Sequence, residues 1–257
     1  MVAAPYWAKD WDSIREQALA PVTVAVLDTG VDGSHPDLAG RVMGAVAIEI
    51  ENGKPVVNEL SPTANNDIFG HGTPVAGIIA AIAPNARIFD VRVFSKKSVG
   101  ATKILLTGFD YALSQPWRLL NLSLAVVSSL RHELVDLCER AYFQQQIVVA
   151  ARRNAPFDDD GLPAELSSCI GVDRGTYPSP FDYVFRPRTP IEFEARGEAV
   201  VAPAKGGGYT TVTGTSFATP TVSALCALLL GASHDMTLFE LKTALRQLAQ
   251  TAKNGGD

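Results

Sequence analysis

The stretch Val22–Gly30 reads VTVAVLDTG, a run of apolar residues that ends in an acid and a glycine. Its apolar part lacks a polar face, which is typical of a β-strand covered on both sides of a sheet. Three further runs are short and mostly apolar on both faces: Arg87–Phe94, Leu119–Ala125 and Ile147–Ala151. Together the four runs predict the central parallel strands of one sheet.

Helical patterns separate these runs. Apolar residues recur at helical spacing over Thr102–Ser114 and over His132–Gln145. Parallel strands that follow one another in a sheet need a crossover between them, so the alternation of strand and helix predicts an α/β fold.

The outer parts of the chain are less regular. Thr237 and Glu240 match a capping box, which predicts a C-terminal helix over 237–252. The proline-rich segment 174–196 predicts irregular surface structure. Since no repeat or linker divides the sequence, we expect a single domain over 1–257 that begins with an N-terminal extension over 1–20.

Composition and charge exclude two classes of partner. The 257 residues include 47% hydrophobic and 19% charged side chains, with a formal net charge of −5. Lys and Arg number 22 against 27 Asp and Glu, and no basic block exceeds a pair, so nothing favours nucleic acid or an anionic membrane surface. The longest apolar runs also fall short of the roughly 20 residues that span a bilayer.

The cysteines and the first residues bear on the compartment. Cys138, Cys169 and Cys226 are odd in number, lie among apolar neighbours and lack C-x-x-C spacing, which predicts buried thiols. Residues 1–20 carry five charged side chains and no continuous apolar core, unlike a secretory signal. We expect a cytoplasmic protein, or a secreted one if the chain is a trimmed mature form.

Three side chains that can take part in catalysis lie at the ends of predicted strands and helices. Asp28 follows the first strand, at the sheet edge where α/β proteins gather ligand sites. His71 precedes Pro74 and small apolar residues, which predicts the N-terminus of a buried helix. Ser216 precedes Pro220 and a long apolar run. Because proline is favoured in the first turn of a helix, we expect Pro220 there and Ser216 at the helix N-terminus. Each residue alone also suits a turn cap, a structural histidine or a helix cap.

Taken together, the three segments favour an activated hydroxyl nucleophile. DTG at 28–30, GHGTPVAG at 70–77 and GTSFATP at 214–220 resemble, in this order, the catalytic signatures of the subtilisin-like serine peptidases. The resemblance implies a three-layer, doubly wound α/β fold with a mostly parallel sheet and helices on both faces. It also implies that Ser216 attacks the scissile carbonyl, His71 transfers the proton and Asp28 orients the imidazole.

The same resemblance implies roles for residues on two strands. Asn154, which follows Ile147–Ala151, would bind the oxyanion together with the backbone N–H of Ser216. Residues 121–125 are similar to the family's substrate-binding strand, which pairs with a peptide or protein substrate. The predicted substrate-binding residues are Ser123, Leu124, Ala125, Ala151, Arg153 and Asp160.

Two departures from the family pattern concern the specificity pocket. Ala125 and the pair Arg152-Arg153 stand where small residues, often glycine, line the pocket in the family. Arg153 at the pocket would favour an acidic substrate side chain, whereas solvated arginines, or pairs with the acids at 158–160, are the simpler alternative. Asp160-Gly161 resembles the pocket floor of kexin-like members and favours a basic side chain.

The chemistry itself needs no cofactor, but the family offers a structural metal. The stretch SHPDL at 34–38 resembles a calcium site of many relatives, which makes Asp37 a candidate ligand. Calcium needs several oxygen ligands, and an ordinary turn explains Pro36-Asp37 equally well.

Three functions compete on these residues. The first is a serine endopeptidase that works through an acyl-enzyme. The second keeps the acyl-enzyme but lets an amine replace water, as in a peptide-processing transpeptidase or macrocyclase. The third is a catalytically idle peptide-binding domain, suggested by the two arginines at the cleft.

Overall fold

The computed structural model describes residues 10–96, 100–126, 128–154 and 161–249. The strands are β1 (Val22–Asp28), β2 (Val42–Glu51), β3 (Lys54–Leu60), β4 (Ala86–Arg92), β5 (Leu119–Leu122), β6 (Ile147–Ala151), β7 (Ile170–Gly175), β8 (Val184–Phe185), β9 (Phe193–Arg196), β10 (Val200–Pro203) and β11 (Tyr209–Val212). The helices are α1 (Trp11–Arg15), α2 (Gly72–Ile82), α3 (Ala101–Leu113), α4 (Arg131–Phe143), α5 (Thr215–Ala232) and α6 (Leu238–Leu248).

One large sheet organises the described residues. Its strand order is β3-β2-β4-β1-β5-β6-β7-β9-β8, and the edge strands β3 and β8 run antiparallel to their neighbours. The strands between them pair in parallel. The strands β2 to β4 lie on one side of β1 and the strands from β5 onward lie on the other, so the carboxyl end of β1 is the switch point where α/β sheets form ligand crevices.

Two apolar clusters cover the faces of this sheet. Val24 and Val26 of β1 face the cluster that contains α2 and α5, and Ala25 and Leu27 face the one that contains α3 and α4. Alternate side chains of a strand point to opposite faces, which is why β1 is apolar throughout. The three-layer α/β fold expected from the sequence is confirmed.

The predicted strands and helices are present, with differences at their ends. The ladder of β5 stops at Leu122, so Ser123–Ala125 leaves the sheet as a free-standing continuation. Pro220 was expected in the first turn of its helix, but α5 begins at Thr215 and places Pro220 in the second turn. The segment 174–196 is not wholly irregular, because it adds the short strands β8 and β9 to the sheet edge.

Both ends of the described chain pack on the core. Trp11 and Ile14 of α1 are buried, and Ala20 N–H donates to Gly231 O of α5 at 2.9 Å. The predicted capping box is present: Thr237 Oγ1 accepts from Glu240 N–H at 3.3 Å, and Glu240 accepts from Thr237 N–H at 2.8 Å. The helix predicted over 237–252 ends at Leu248, and residues 250–252 lie outside the described residues.

Helix α5 is 18 residues long and apolar enough to cross a bilayer by length and composition alone. However, 83% of it is buried inside the protein, as expected of the central helix of a folded core.

Candidate active site

Asp28 and His71 meet at the carboxyl end of β1. Asp28 is the last residue of β1, and His71 directly precedes α2. The Nδ1–H of His71 donates to Asp28 Oδ1 at 2.7 Å, and Thr29 N–H donates to the same oxygen at 2.7 Å. The Asp28 side chain is 1% exposed, whereas that of His71 is 31% exposed. A carboxylate only accepts hydrogen bonds, so this contact leaves Nε2 of the neutral ring as the proton acceptor.

Two glycines allow this approach. Gly30 has φ +99°, and a Cβ there would overlap the backbone carbonyl of Asn66. A Cβ at Gly72 would overlap the carbonyl of Gly30. The glycines of the first two motifs therefore let the start of α2 lie directly against the turn after β1.

A buried network fixes the loop that carries His71. Asp67, which is 2% exposed, accepts from Thr29 Oγ1 at 2.7 Å, from Gly70 N–H at 2.7 Å and from Thr73 N–H at 3.0 Å. Thr29 Oγ1 in turn accepts from Gly72 N–H at 3.0 Å. Since buried donors must find partners, this network leaves the segment 67–73 few alternative conformations.

The electrostatics of His71 reflect two opposing causes. Burial lowers the pKa of His71, but the charge of Asp28, its hydrogen bond and the charge of Asp67 outweigh burial and raise the pKa above its usual 6.5. The carboxylates stabilise the imidazolium, which offsets the unfavourable position of a cation at a helix N-terminus.

Ser216 lies in the first turn of α5, which is anchored to the end of β6. Thr215 N–H donates to Asn154 Oδ1 at 3.3 Å, and Thr215 Oγ1 donates to Arg152 O at 2.6 Å. Phe217, the residue after Ser216, packs on the His71 ring with 5.0 Å between ring centroids. The third motif is thereby held against both the second motif and the β6 end.

These elements enclose a cleft of about 670 Å3. It is lined by Thr29, Phe69, His71, Phe94, Ser123, Leu124, Ala125, Ala151, Arg152, Arg153, Asn154, Thr215 and Ser216. The cleft adjoins a more apolar pocket of about 350 Å3, to which Phe94, Leu124 and Ala125 also contribute. Most residues predicted from the sequence thus surround one cavity, with Asp28 directly behind His71.

The two arginines differ in their surroundings. Arg152 Nη1 contacts Asp173 Oδ2 of β7 at 2.8 Å, a partner that the sequence analysis did not anticipate. Burial pushes the pKa of Asp173 upward, but hydrogen bonds from Arg174 N–H, Arg152 and Arg186 hold it below its usual value. Arg153 is partly buried and lines the cleft beside Asn154.

Two of the predicted site residues, Asp37 and Asp160, are not among the described residues that line this cleft. Asp160 falls among residues 155–160, outside the described residues. Asp37 lines a separate groove, and its two carboxylate oxygens accept from Tyr209 Oη at 3.1 and 3.0 Å. Within the described ranges, no group of three or more His, Cys, Asp or Glu residues is placed to hold a metal ion. The described side chains therefore give Asp37 no cluster of acidic ligands, and the observed partner of its carboxylate is Tyr209 Oη.

Sequence reasoning missed several residues that shape the site. Thr29 belongs to the first motif and Asp67 lies three residues before the second, but only their contacts show that they position His71. An acid near a helix N-terminus was the available sequence signal for Asp67. Phe69 and Phe94 line the cleft although 58% and 39% exposed, and no sequence signal marked them.

Asp90 on β4 was another residue missed in the sequence. It is fully buried beside the turn after β1, and its Oδ2 accepts from Val31 N–H at 3.0 Å. Burial is the main cause that raises the pKa of Asp90 to about 8, and the charges of Asp28 and Asp67 add to it against the opposing Val31 N–H and Arg92. The carboxyl behind the site is therefore largely protonated at neutral pH.

Comparisons with known proteins agree with this geometry. The Subtilase family matches residues 20–257. The chain is 30% identical to "Intracellular serine protease" of Paenibacillus polymyxa over 95% of this chain and 77% of that protein. It is 31% identical to thermitase of Thermoactinomyces vulgaris over 91% of this chain and 82% of that protein. A crystal structure of a cold-adapted subtilisin-like serine proteinase superposes with a TM-score of 0.66 at 26% identity, covering 88% of this chain and 81% of that one.

The family model matches most of the chain, and the two relatives align with more than nine-tenths of it. The chain belongs to the subtilase family and is a subtilisin-like serine peptidase, a hydrolase.

Proposed function

We propose that this protein is a serine endopeptidase that hydrolyses peptide bonds through an acyl-enzyme on Ser216. The observation that carries the proposal is the 2.7 Å hydrogen bond from His71 to the buried Asp28, in a cleft that Ser216 also lines. This pairing orients the imidazole and leaves Nε2 to accept the proton of the Ser216 hydroxyl group.

Each step has a residue assigned to it. Nε2 of His71 takes the proton of Ser216 as Oγ bonds to the scissile carbonyl carbon, which forms the tetrahedral intermediate. The C–N bond then breaks, and the imidazolium returns its proton to the departing amine. Water attacks the ester by the same route in reverse, which releases the acid and the free hydroxyl. The raised pKa of His71 suits a group that must both take and return a proton near neutral pH.

Asn154 and the N–H of Ser216 are assigned to the oxyanion. The amide oxygen of Asn154 accepts from Thr215 N–H, so the amide nitrogen remains as a donor toward the cleft. The N–H of Ser216 belongs to the first turn of α5, where helical N–H groups have no partner within the helix. Two such donors stabilise the developing negative charge.

The substrate is assigned to the edge formed by Ser123–Ala125. These residues continue β5 beyond its ladder and line the cleft, so their backbone can pair with an extended peptide. The Oγ of Ser123 is held by Asn121 Nδ2 at 2.9 Å, which fixes the start of this edge.

We also infer a cytoplasmic location. Two relatives are named intracellular serine proteases, from Paenibacillus polymyxa and from Bacillus subtilis. The three cysteines are buried free thiols, as the sequence predicted, which suits a reducing compartment.

The test is to incubate the purified protein with a diverse peptide mixture and to identify products by mass spectrometry. We expect cuts that disappear in Ser216→Ala, with a loss in kcat on the order of 10⁶-fold. Ser114→Ala, an exposed serine at the end of α3, is the matched control and should cut like the wild type.

Other products would decide between the remaining functions. Ser216-dependent products one water lighter than the sum of hydrolysed fragments would indicate transpeptidation. Peptide binding by the folded protein without any Ser216-dependent product would indicate the idle binding domain and would overturn the proposal.

A further inference from the structure

The space between the ends of β5 and β6 is filled by a third segment. A Cβ placed on Gly161 would lie 2.8 Å from Cβ of Arg153 and 3.1 Å from Cβ of Ala125. Both distances are shorter than ordinary carbon contacts, so the backbone of Gly161 already touches both side chains. Ala125 and Arg153 line the cleft in front of it.

Gly161 is held in this position by its neighbours. Leu162 and Val126 form an antiparallel bridge, with Val126 N–H donating to Leu162 O at 2.9 Å. Gly161 and Leu162 are both buried, and Gly161 has φ +79°, a conformation that suits glycine. A substrate side chain cannot displace this segment without breaking the bridge and exposing Leu162.

The position of Gly161 matters because the proposed function places the scissile bond of the substrate next to the ends of β5 and β6. The oxyanion donors are Asn154 and Ser216, and the substrate backbone pairs with Ser123–Ala125. The side chain of the residue before the cut then points between the two strand ends, toward Ala125 and Arg153. At that point the Cβ of each wall residue contacts Gly161.

We propose that Ala125, Arg153 and Gly161 close this pocket to all but the smallest side chains, so that the enzyme cuts after glycine or alanine. The inference rests on the proposed peptidase function and names its substrate class. It differs from both charge-based expectations, because the wall is made by Cβ atoms and backbone and not by the guanidinium of Arg153 or the carboxylate of Asp160.

The experiment measures kcat/KM on peptides that differ only in the residue before the cut. The wild type should favour Gly and Ala over Leu and Phe. Arg153→Gly combined with Ala125→Gly removes both Cβ atoms and should raise kcat/KM for Leu and Phe by about 10–200-fold. Arg153→Gln removes the charge but keeps the Cβ, Cγ and Cδ carbons, so it should retain the wild-type preference.

Two controls keep failure of the pocket distinct from failure of the chemistry. Arg188→Gly changes an exposed arginine with φ +64° outside the cleft and should leave the preference unchanged. Ser216→Ala tells whether a given cut belongs to the enzyme, and circular dichroism tells whether each variant is folded.

Specific outcomes overturn the inference. Ser216-dependent cuts by the wild type after Phe or Leu would refute the closed pocket and leave the peptidase proposal intact. A preference for Asp or Glu that Arg153→Gln abolishes would replace it with charge recognition by Arg153, and a preference for Lys or Arg would favour Asp160. The absence of every Ser216-dependent cut would refute the proposed function and this inference with it.

Discussion

The two sides of the cleft are built in different ways. On the His71 side, polar groups are buried and hydrogen-bonded to one another: Asp28 to His71, Thr29 to Asp67, and Asp67 to the start of α2. On the Arg153 side, the boundary consists of two Cβ atoms against the backbone of Gly161. The first arrangement depends on hydrogen-bond geometry and charge, the second on volume.

This difference separates two kinds of mutational effect. Removing one member of a buried polar network leaves its partners unsatisfied and alters the chemistry. Changing a Cβ in a wall alters which side chain fits and leaves the reacting groups in place. Substitutions on the His71 side should therefore reduce the rate on every substrate, and substitutions on the Arg153 side should redistribute activity among substrates.

The largest effect that tests the His71 side, after loss of Ser216 itself, is expected for Asp28→Asn. An Asn amide can donate to Nδ1 and so favours the wrong tautomer, which should lower kcat by about 10⁴-fold. Because the carboxylate raises the pKa of His71 above 6.5, its loss should also move the acid limb of the kcat/KM profile to lower pH. The measurement is residual activity against pH.

Asp90→Asn serves as the control for this shift. Asp90 is largely protonated near neutral pH, so the neutral amide should leave the acid limb in place. An acid limb that stays at the wild-type pH in Asp28→Asn would contradict the view that Asp28 sets the pKa of His71.

A smaller effect is expected for Asn154, which joins the two sides. Asn154→Ala should reduce kcat by about 10²–10³-fold with little change in KM, since the oxyanion exists only along the reaction path. Asn154→Asp retains an acceptor for Thr215 N–H but lacks the donor, so it should lose at least as much activity while keeping the anchor of α5. Full activity in Asn154→Asp would assign the residue to anchoring alone.

The smallest effect on activity, but a measurable one on stability, is expected for Asp90→Asn. The pKa of Asp90 is about 8 when folded against 3.8 for an unperturbed carboxyl, so folding takes up a proton between these values. The contribution of the protonated Asp90 carboxyl to the free energy of unfolding is complete below pH 3.8 and is lost as the pH rises to about 8. The free energy of unfolding of the wild type should thus fall relative to the variant by at most about 1.4 kcal/mol per pH unit.

Denaturant unfolding at several pH values between 4 and 9 measures this difference. Asp12→Asn, whose side chain is 87% exposed, is the control and should follow the wild type at every pH. A difference between wild type and Asp90→Asn that does not change with pH would show that Asp90 is ionised throughout.

Several features of the fold followed directly from local sequence. Runs that are mostly apolar on both faces predicted β1, β4, β5 and β6, because strands covered on both sides of a sheet have this composition. Helical periodicity predicted α3 and α4, and the capping box marked Thr237 as the N-cap of α6. The short strands β9 and β8, which end one side of the sheet, were missed, since four and two residues among prolines carry too little periodic signal.

The residues of the candidate site likewise divide into those that local sequence predicted and those that it did not. The motifs around Asp28, His71 and Ser216 carried their own signal, because chemistry of this kind requires particular residue types beside glycines and helix starts. The roles of Asp67 and Asp90 depend on which groups surround them, and these groups come from different strands and helices. No window of sequence contains such information.

The sequence by itself determined the parallel α/β layers, the three motifs and the family, since periodicity and residue type act over short distances along the chain. Only the tertiary structure decided that Arg152 pairs with Asp173, that Asp37 contacts Tyr209 and that Gly161 fills the gap beside Ala125 and Arg153. Apart from the contact of Gly161 with Arg153, these contacts join residues more than 20 positions apart in the chain, and whether two such groups meet depends on the packing of the whole sheet and its helices.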